Sequence, residues 1–203
     1  MPRLSESEAL DLFLNAPLDE LCARANAEKE RLHGKSVYWV NNRQINYTNV
    51  CVLHCKFCAF SKIKKDSPTA YDWDYDTIRN KAAEAIAGGA RELHIVGGLH
   101  PDHPFDYYIE MLRKLRVEFP KVNLKAFTAV EICHFAKISG QTPLQIMTTL
   151  KEAGLDALPG GGAEILVQDV RDQICPGKET GEEWLDVHRA AHKIGIPTNA
   201  TMP

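Results

Sequence analysis

Apolar residues first recur at helical spacing. Leu10 and Phe13 share a face that Ser5 or Ser7 can cap, and Leu18, Leu21, Cys22 and Ala25 repeat behind Pro17 up to Gly34. Two helices are therefore expected in the first 35 residues. The pattern then changes, and residues 37–40 and 45–48 read as strands. Further on, helix and strand signals alternate. Asp76 can cap a helix that runs through Ala87 and stops at Gly88-Gly89, and residues 92–96 form a buried-strand candidate closed by Gly97-Gly98. Phe105, Tyr108, Ile109, Leu112 and Leu115 mark an amphipathic helix that ends before Pro120. A strand over 122–127 follows, then a helix with Thr142 as cap and Pro143 in its first position, ended by Gly154. Residues 155–158 form a short strand running into Pro159-Gly160-Gly161-Gly162. Thr180 and Glu183 make a capping box for a helix that turns Trp184, Leu185, His188 and Ala191 inward; after Gly195, residues 196–202 read as a last strand.

Strand–helix repetition with short connections predicts an α/β fold with a parallel sheet. The strands centre near residues 47, 93, 124, 156 and 198, and polar or glycine clusters stand at their carboxyl ends, where a (β/α) barrel keeps its active site. A complete eight-unit barrel takes about 250 residues. The expectation is therefore a barrel truncated after about five strands, the first half to two-thirds of a larger protein. It comprises an N-terminal helical segment over 1–35 and a partial barrel domain over 36–203. The last strand would lie uncovered at the edge of an open half-barrel.

Composition narrows the function. A hydrophobic content of 44% and a charged content of 25% suit an ordinary soluble domain. The net charge of −3 argues against a nucleic-acid partner, which needs a basic stripe. Lys62, Lys64 and Lys65 read as a solvated loop. No apolar run approaches membrane-spanning length, and the first residues lack the apolar core of a signal peptide, so a cytoplasmic protein without a membrane partner is expected.

Cys51, Cys55 and Cys58 lie within eight residues at C-x3-C-x2-C spacing. Three thiolates on so short a loop can hold three corners of a [4Fe–4S] cluster, whose usual complement is about four cysteines. The remaining iron stays open to a ligand. Zinc would want a second ligand pair, and His54, next to Cys55, points poorly at a shared ion. Disulfides fit poorly with three cysteines crowded on one loop. Cys133 and Cys175 are the candidates for a fourth ligand, which would make an electron-transfer centre instead.

The spacing, with Phe57 before the third cysteine, resembles the signature of the radical S-adenosylmethionine (radical SAM) superfamily. That resemblance implies that the methionine part of SAM chelates the open iron and that one electron from the cluster cleaves SAM to a 5′-deoxyadenosyl radical. It further implies a small-molecule substrate and an external one-electron donor such as flavodoxin or ferredoxin. In this light Gly97-Gly98 is expected to receive the methionine amine, although paired glycines are also ordinary tight turns. Glu164, after the triple glycine, can accept two hydrogen bonds from the SAM ribose or simply start a helix. Arg171 can meet a carboxylate or be an ordinary ion-pair partner. His100 is a candidate acid or base, or only a loop histidine. Thr128 and Glu131 are candidate substrate-side groups, with a helix-cap contact the alternative for Glu131.

Five stretches carry a closer resemblance: 46–51 with 56–60, 96–101, 125–132, 158–165 and 198–202. They are similar to the radical SAM enzymes of the futalosine route to menaquinone, from about Lys35 onward. The run Lys125 to Ile132, with residues 188–192 and 198–202, favours the aminofutalosine synthase family over dehypoxanthine futalosine cyclase and deazaflavin synthase. That family implies addition of the adenosyl radical to the enol ether of 3-[(1-carboxyvinyl)oxy]benzoate, with SAM consumed as co-substrate.

Overall fold

The computed structural model describes residues 4–201. The chain divides into two units, Met1–Val40 and Asn41–Pro203. In the first, α1 (Glu6–Asn15) opens on Ser5. The Ser5 hydroxyl accepts the Glu8 N–H at 3.3 Å, and the Glu8 carboxylate accepts the Ser5 N–H at 2.8 Å. This reciprocal cap selects Ser5 over Ser7. α2 (Leu18–His33) follows Pro17 and ends at Gly34. Residues 37–40 do not form the expected strand. Their β-propensity matters only where a neighbour supplies a hydrogen-bond ladder, and they have no strand partner among the described residues.

The second unit is built on β1 (Asn42–Ile45), β2 (Glu92–Ile95) and β3 (Asn123–Ala126). They form a parallel sheet in the order β1-β2-β3, with Ile45, Ile95 and Ala126 in register. The parallel arrangement follows from the helical crossovers, α3 (Tyr75–Ala87) and α4 (Phe105–Glu118). Ile45, Leu93, Ile95, Leu124 and Ala126 of the sheet are buried. They share a core with Ile78 of α3, Leu112 and Leu115 of α4, Ile132 and Phe135 of α5 (Ala129–Ser139), and Ile146 and Leu150 of α6 (Pro143–Glu152).

Beyond β3 the ladder continues more thinly. The Asp156 N–H donates to Leu124 O at 2.9 Å and the Ala126 N–H to Ala157 O at 3.2 Å. Next, the Leu158 N–H donates to Pro197 O at 3.0 Å and the Asn199 N–H to Leu158 O at 3.2 Å. Both pairings are single parallel bridges, Lys125↔Ala157 and Leu158↔Thr198. The five expected strands are thus three strands and two bridged segments among the described residues. Pro159 and Pro197 have no N–H to donate, which stops both segments from growing into full strands. Nothing closes the last segment back onto β1 among the described residues, so the fold is a partial α/β barrel. Met202, the expected end of the last strand, lies outside the described residues.

Several expected boundaries move. β1 ends at Ile45, where 45–48 was expected, because the chain turns at Thr48 and Val50 to pair with Asp72 and Lys62. Asp74, not Asp76, caps α3; its carboxylate accepts the Thr77 N–H at 2.9 Å. The sequence pattern does not predict α5 or α7 (Gln168–Ile174). In α5 Glu131, His134, Lys137 and Ser139 fall around the helix and interrupt its apolar residues, which blurs the period of an amphipathic helix. Its signal is the Thr128–Glu131 capping box with Gly140 at the far end. Thr142 and Pro143 start α6 as expected, and Thr180 and Glu183 start α8 (Gly181–Lys193). No helix among the described residues is long and apolar enough to cross a membrane.

Candidate functional site

The cysteine loop is held along its length by main-chain bonds. The Cys51 N–H donates to Lys62 O at 3.0 Å, the Val52 N–H to Leu99 O at 3.0 Å, and the Lys56 N–H to Ile174 O at 2.8 Å. Buried Asn49 braces its start by accepting the Tyr71 N–H at 2.8 Å and donating to Thr69 O at 2.9 Å. The loop is thereby fixed against the end of β2 and the end of α7, two elements distant in sequence.

Cys51, Cys55 and Cys58 line one cavity of about 190 Å³ together with Gly97, Gly98, Glu164 and Lys178. All three thiols are free. A single tetrahedral zinc would draw sulfurs to within about 4 Å of one another, given a Zn–S length of about 2.3 Å. Among the described residues only Asp72, His100 and His103 bring three ligand atoms within 4.8 Å. The three thiols do not form so compact a group among the described residues. Cys133 and Cys175 do not line the cavity. Burial pushes the Cys55 thiol up to about 11, while Lys178 draws it down.

Gly97 and Gly98 face this cavity, but their missing side chains are demanded from behind. A Cβ on Gly97 would stand 2.4 Å from Tyr47 Cζ, and one on Gly98 would stand 2.2 Å from Val50 O. The glycines are therefore packing requirements in their own right, as well as backbone open to a ligand.

Glu131 is fully buried and joins three strand ends. Its Oε1 accepts from the Tyr47 hydroxyl at 2.9 Å and the Gly97 N–H at 3.0 Å. Its Oε2 accepts from the Thr128 N–H at 2.7 Å and the Thr128 hydroxyl at 2.9 Å. The helix-cap alternative is thus correct, and it is only part of the role: the carboxylate also ties Tyr47 and the glycine turn together. Phe127 makes the bend into this cap at φ 59, a left-handed conformation costly for an aromatic residue and a mark of a constrained site. Burial pushes Glu131 up to about 7 from 4.5, against the pull of its four donors. The folded state therefore holds an extra proton between these values. That contribution to stability is complete below about 4.5 and is lost as pH rises through about 7. Between pH 5 and 8 the melting temperature of the unaltered chain is expected to fall further than that of Glu131→Gln, which cannot titrate. Equal falls would place the dependence on other groups.

Glu164 lines the cavity at φ 50, and its Oε1 pairs with Lys178 Nζ at 3.0 Å. It does not start a helix, because α7 begins at Gln168. Lys178 also lies 5.6 Å from the centre of the Phe57 ring in the cysteine loop. Nothing periodic marks Lys178 in the sequence; it follows a Pro176-Gly177 turn, and only the fold brings it beside the thiols. Arg171 departs from its expected role as a ligand for SAM. It is 1% exposed, and its guanidinium donates to Gly162 O, Ala163 O and Ile165 O and to the carbonyl and carboxylate of Glu179. A fork so fully engaged in holding the Glu164 loop has no donor left for a ligand.

His100 is likewise displaced from the expected acid or base role. It is 7% exposed and is absent from the cavity lining, although Leu99 before it is present. Its ring stacks on His103 at 4.0 Å, and His103 Nε2 lies 2.8 Å from Asp72 Oδ2. Burial and then His103 lower its pKa. Its Nδ1 accepts the Asp102 N–H at 3.2 Å, and its Nε2 faces Asp72 Oδ2 at 3.7 Å. His100, His103 and Asp72 thus form a compact group away from the cavity.

The chain is 44% identical over 200 residues to aminodeoxyfutalosine synthase from Thermus thermophilus, covering 98% of this chain and 54% of the relative. It is 40% identical over 201 residues to the 5-amino-6-(D-ribitylamino)uracil–L-tyrosine 4-hydroxyphenyl transferase of Methanopyrus kandleri, again covering 98% and 54%. The chain thus spans about half the length of the curated relatives it matches. The crystal structure of methylornithine synthase superposes with a TM-score of 0.71 at 14% identity, over 97% of this chain and 54% of that one, which shows a shared fold. The family described as the radical SAM superfamily matches residues 45–203, from the end of β1 through all three cysteines and both glycine turns. With its cysteine triad opening on one cavity at the carboxyl ends of a parallel sheet, this chain belongs to the radical SAM superfamily, whose members carry a [4Fe–4S] cluster and use SAM.

Proposed function

We propose that the chain is the cluster- and SAM-binding part of an aminofutalosine synthase. The observation that carries this reading is the shared cavity. Cys51, Cys55, Cys58, Gly97, Gly98 and Glu164 line one space, which supports a ligand of the cluster lying against open main chain and a carboxylate. Cys51, Cys55 and Cys58 hold the cluster, which supplies one electron for the cleavage of SAM. Gly97 and Gly98 offer backbone to the methionine amine. Glu164 offers its carboxylate to the ribose, with Lys178 setting its position. Glu131 keeps the glycine turn in place through the Gly97 N–H. The 44% identity to a synthase of this name supports the choice among family members.

In the reaction, the C5′–S bond of SAM breaks and methionine leaves. C5′ then bonds to the vinyl carbon of 3-[(1-carboxyvinyl)oxy]benzoate. Rearrangement and loss of the carboxyl group as CO2 give 6-amino-6-deoxyfutalosine, and the electron that entered at cleavage passes back to an oxidised one-electron carrier. A cytoplasmic location and a protein electron donor complete the reading.

The test uses the gene product as expressed, with SAM labelled in its adenine ring, a reductant and the enolpyruvyl-benzoate. The expected result is label in an aminofutalosine adduct. Stoichiometric 5′-deoxyadenosine without adduct, and turnover of dehypoxanthine futalosine, would move the assignment to the cyclase. The relative at 40% identity makes a third outcome concrete: coupling of tyrosine to 5-amino-6-(D-ribitylamino)uracil would assign the transferase reaction named for that protein.

A further inference from the structure

The cysteine loop has a second open side. Cys55 and Cys58 also border a larger groove of about 610 Å³, whose walls include Lys56, Lys62 and Lys64. Cys55 and Cys58 therefore border both the cavity shared with Glu164 and a separate space lined by lysines. Lys56 and Lys64 are exposed and Lys62 is half-buried. None of the three has an ion-pair partner among the described residues, whereas Lys65, next in the chain, pairs with Asp102. The frame beneath them is fixed. Lys62 donates its N–H to Asn49 O at 2.7 Å and accepts the Cys51 N–H at 3.0 Å, and the Lys56 N–H is bound to Ile174 O.

This distribution is uneven for a chain of net charge −3. Three ammonium groups around one groove repel one another, and no carboxylate among the described residues pairs with them. Such a local field attracts an anionic partner and raises its encounter rate. The groove also reaches two of the thiols from a side that the glycine turns do not line, so a partner seated there leaves the inner cavity free.

We propose that this groove docks the acidic face of a small one-electron carrier protein. The inference rests on the radical SAM reading, because it assigns the group held by the three cysteines as the electron acceptor. One electron passes from the reduced carrier to that group; the carrier leaves oxidised by one electron, and no bond forms or breaks. The lysines steer and orient the encounter and take no part in the chemistry of the inner cavity.

The test is anaerobic stopped-flow reduction of the reconstituted chain, monitored by the visible absorbance of the cluster. Reduced flavodoxin serves as the acidic carrier, and photoreduced 5-deazariboflavin, small and uncharged, serves as the control. In the Lys56→Glu/Lys62→Glu/Lys64→Glu variant the carrier-driven second-order rate is expected to fall about 10- to 100-fold. The rate with 5-deazariboflavin is expected to stay unchanged. In the unaltered chain, added salt is expected to slow only the carrier-driven reaction. The Lys56→Gln/Lys64→Gln variant, with exposed neutral replacements, is expected to show a smaller fall of the same kind. Equal carrier-driven rates in the variants and the unaltered chain would overturn the docking site while leaving the radical SAM reading intact. An unaltered chain that takes up no cluster, or whose cluster the small reductant cannot reduce, would overturn that reading and this proposal with it.

Discussion

Alanine at Cys51, Cys55 or Cys58 is expected to abolish assembly of the iron–sulfur cluster. The unaltered chain, reconstituted without oxygen, should bind about four irons with the visible absorbance of a [4Fe–4S] cluster. Each single variant should fall to background in both iron content and absorbance. The effect is expected to be close to all-or-none because the proposed site has only three cysteine corners, and the cavity holds no spare cysteine among the described residues. Cys133 and Cys175 are the internal controls. Cys175 is 2% exposed and near enough to Cys55 to raise its pKa, yet it does not line the cavity. Alanine at either position should leave iron content unchanged. Loss of the cluster in Cys175→Ala would make that residue a fourth ligand, close the open iron and turn the centre into an electron-transfer site.

The second large effect is expected at Arg171. Removing its side chain leaves Glu179 buried without its cation and strips donors from the carbonyls of Gly162, Ala163 and Ile165. The Glu179 carboxyl already has its pKa raised to about 7 by burial, with Lys178 and Arg171 opposing that rise. Breaking a buried pair by removing one partner costs about 3–5 kcal/mol. For a domain of this size that is a fall in melting temperature on the order of 10 °C. Denaturant unfolding of Arg171→Ala without cluster or SAM measures the cost directly. A variant as stable as the unaltered chain but unable to bind SAM would return Arg171 to a ligand-contact role. Arg171→Lys should recover little, because a single ammonium cannot replace a planar fork that reaches several acceptor groups at once.

The sequence determined those features that depend on near neighbours in the chain. The three-cysteine loop is one, since its chemistry lies in the spacing of a short segment. The caps at Thr142 and Thr180 are others, because a cap needs only a side chain and an amide three residues on. The alternation of strands and helices likewise predicted the parallel sheet and its open edge.

Tertiary structure decided what depends on residues far apart. Glu131 looked the same from sequence whether it met a substrate or capped a helix. Only the fold shows that it meets Tyr47 and Gly97 across three strand ends while also lining the cavity of the cysteines. Arg171 and His100 carry side chains fit for catalysis, but burial and engaged partners take both away from the cavity. Lys178 stands beside the cysteine loop only because α7 and the turn after it fold back onto that loop. Lys62 and Lys64 read as a solvated run until Lys56 joins them around a single groove. The physical reason is the same in each case. A side chain's chemistry is local, but its desolvation, its hydrogen-bond partners and the charges facing it are set by segments that meet only when the chain folds.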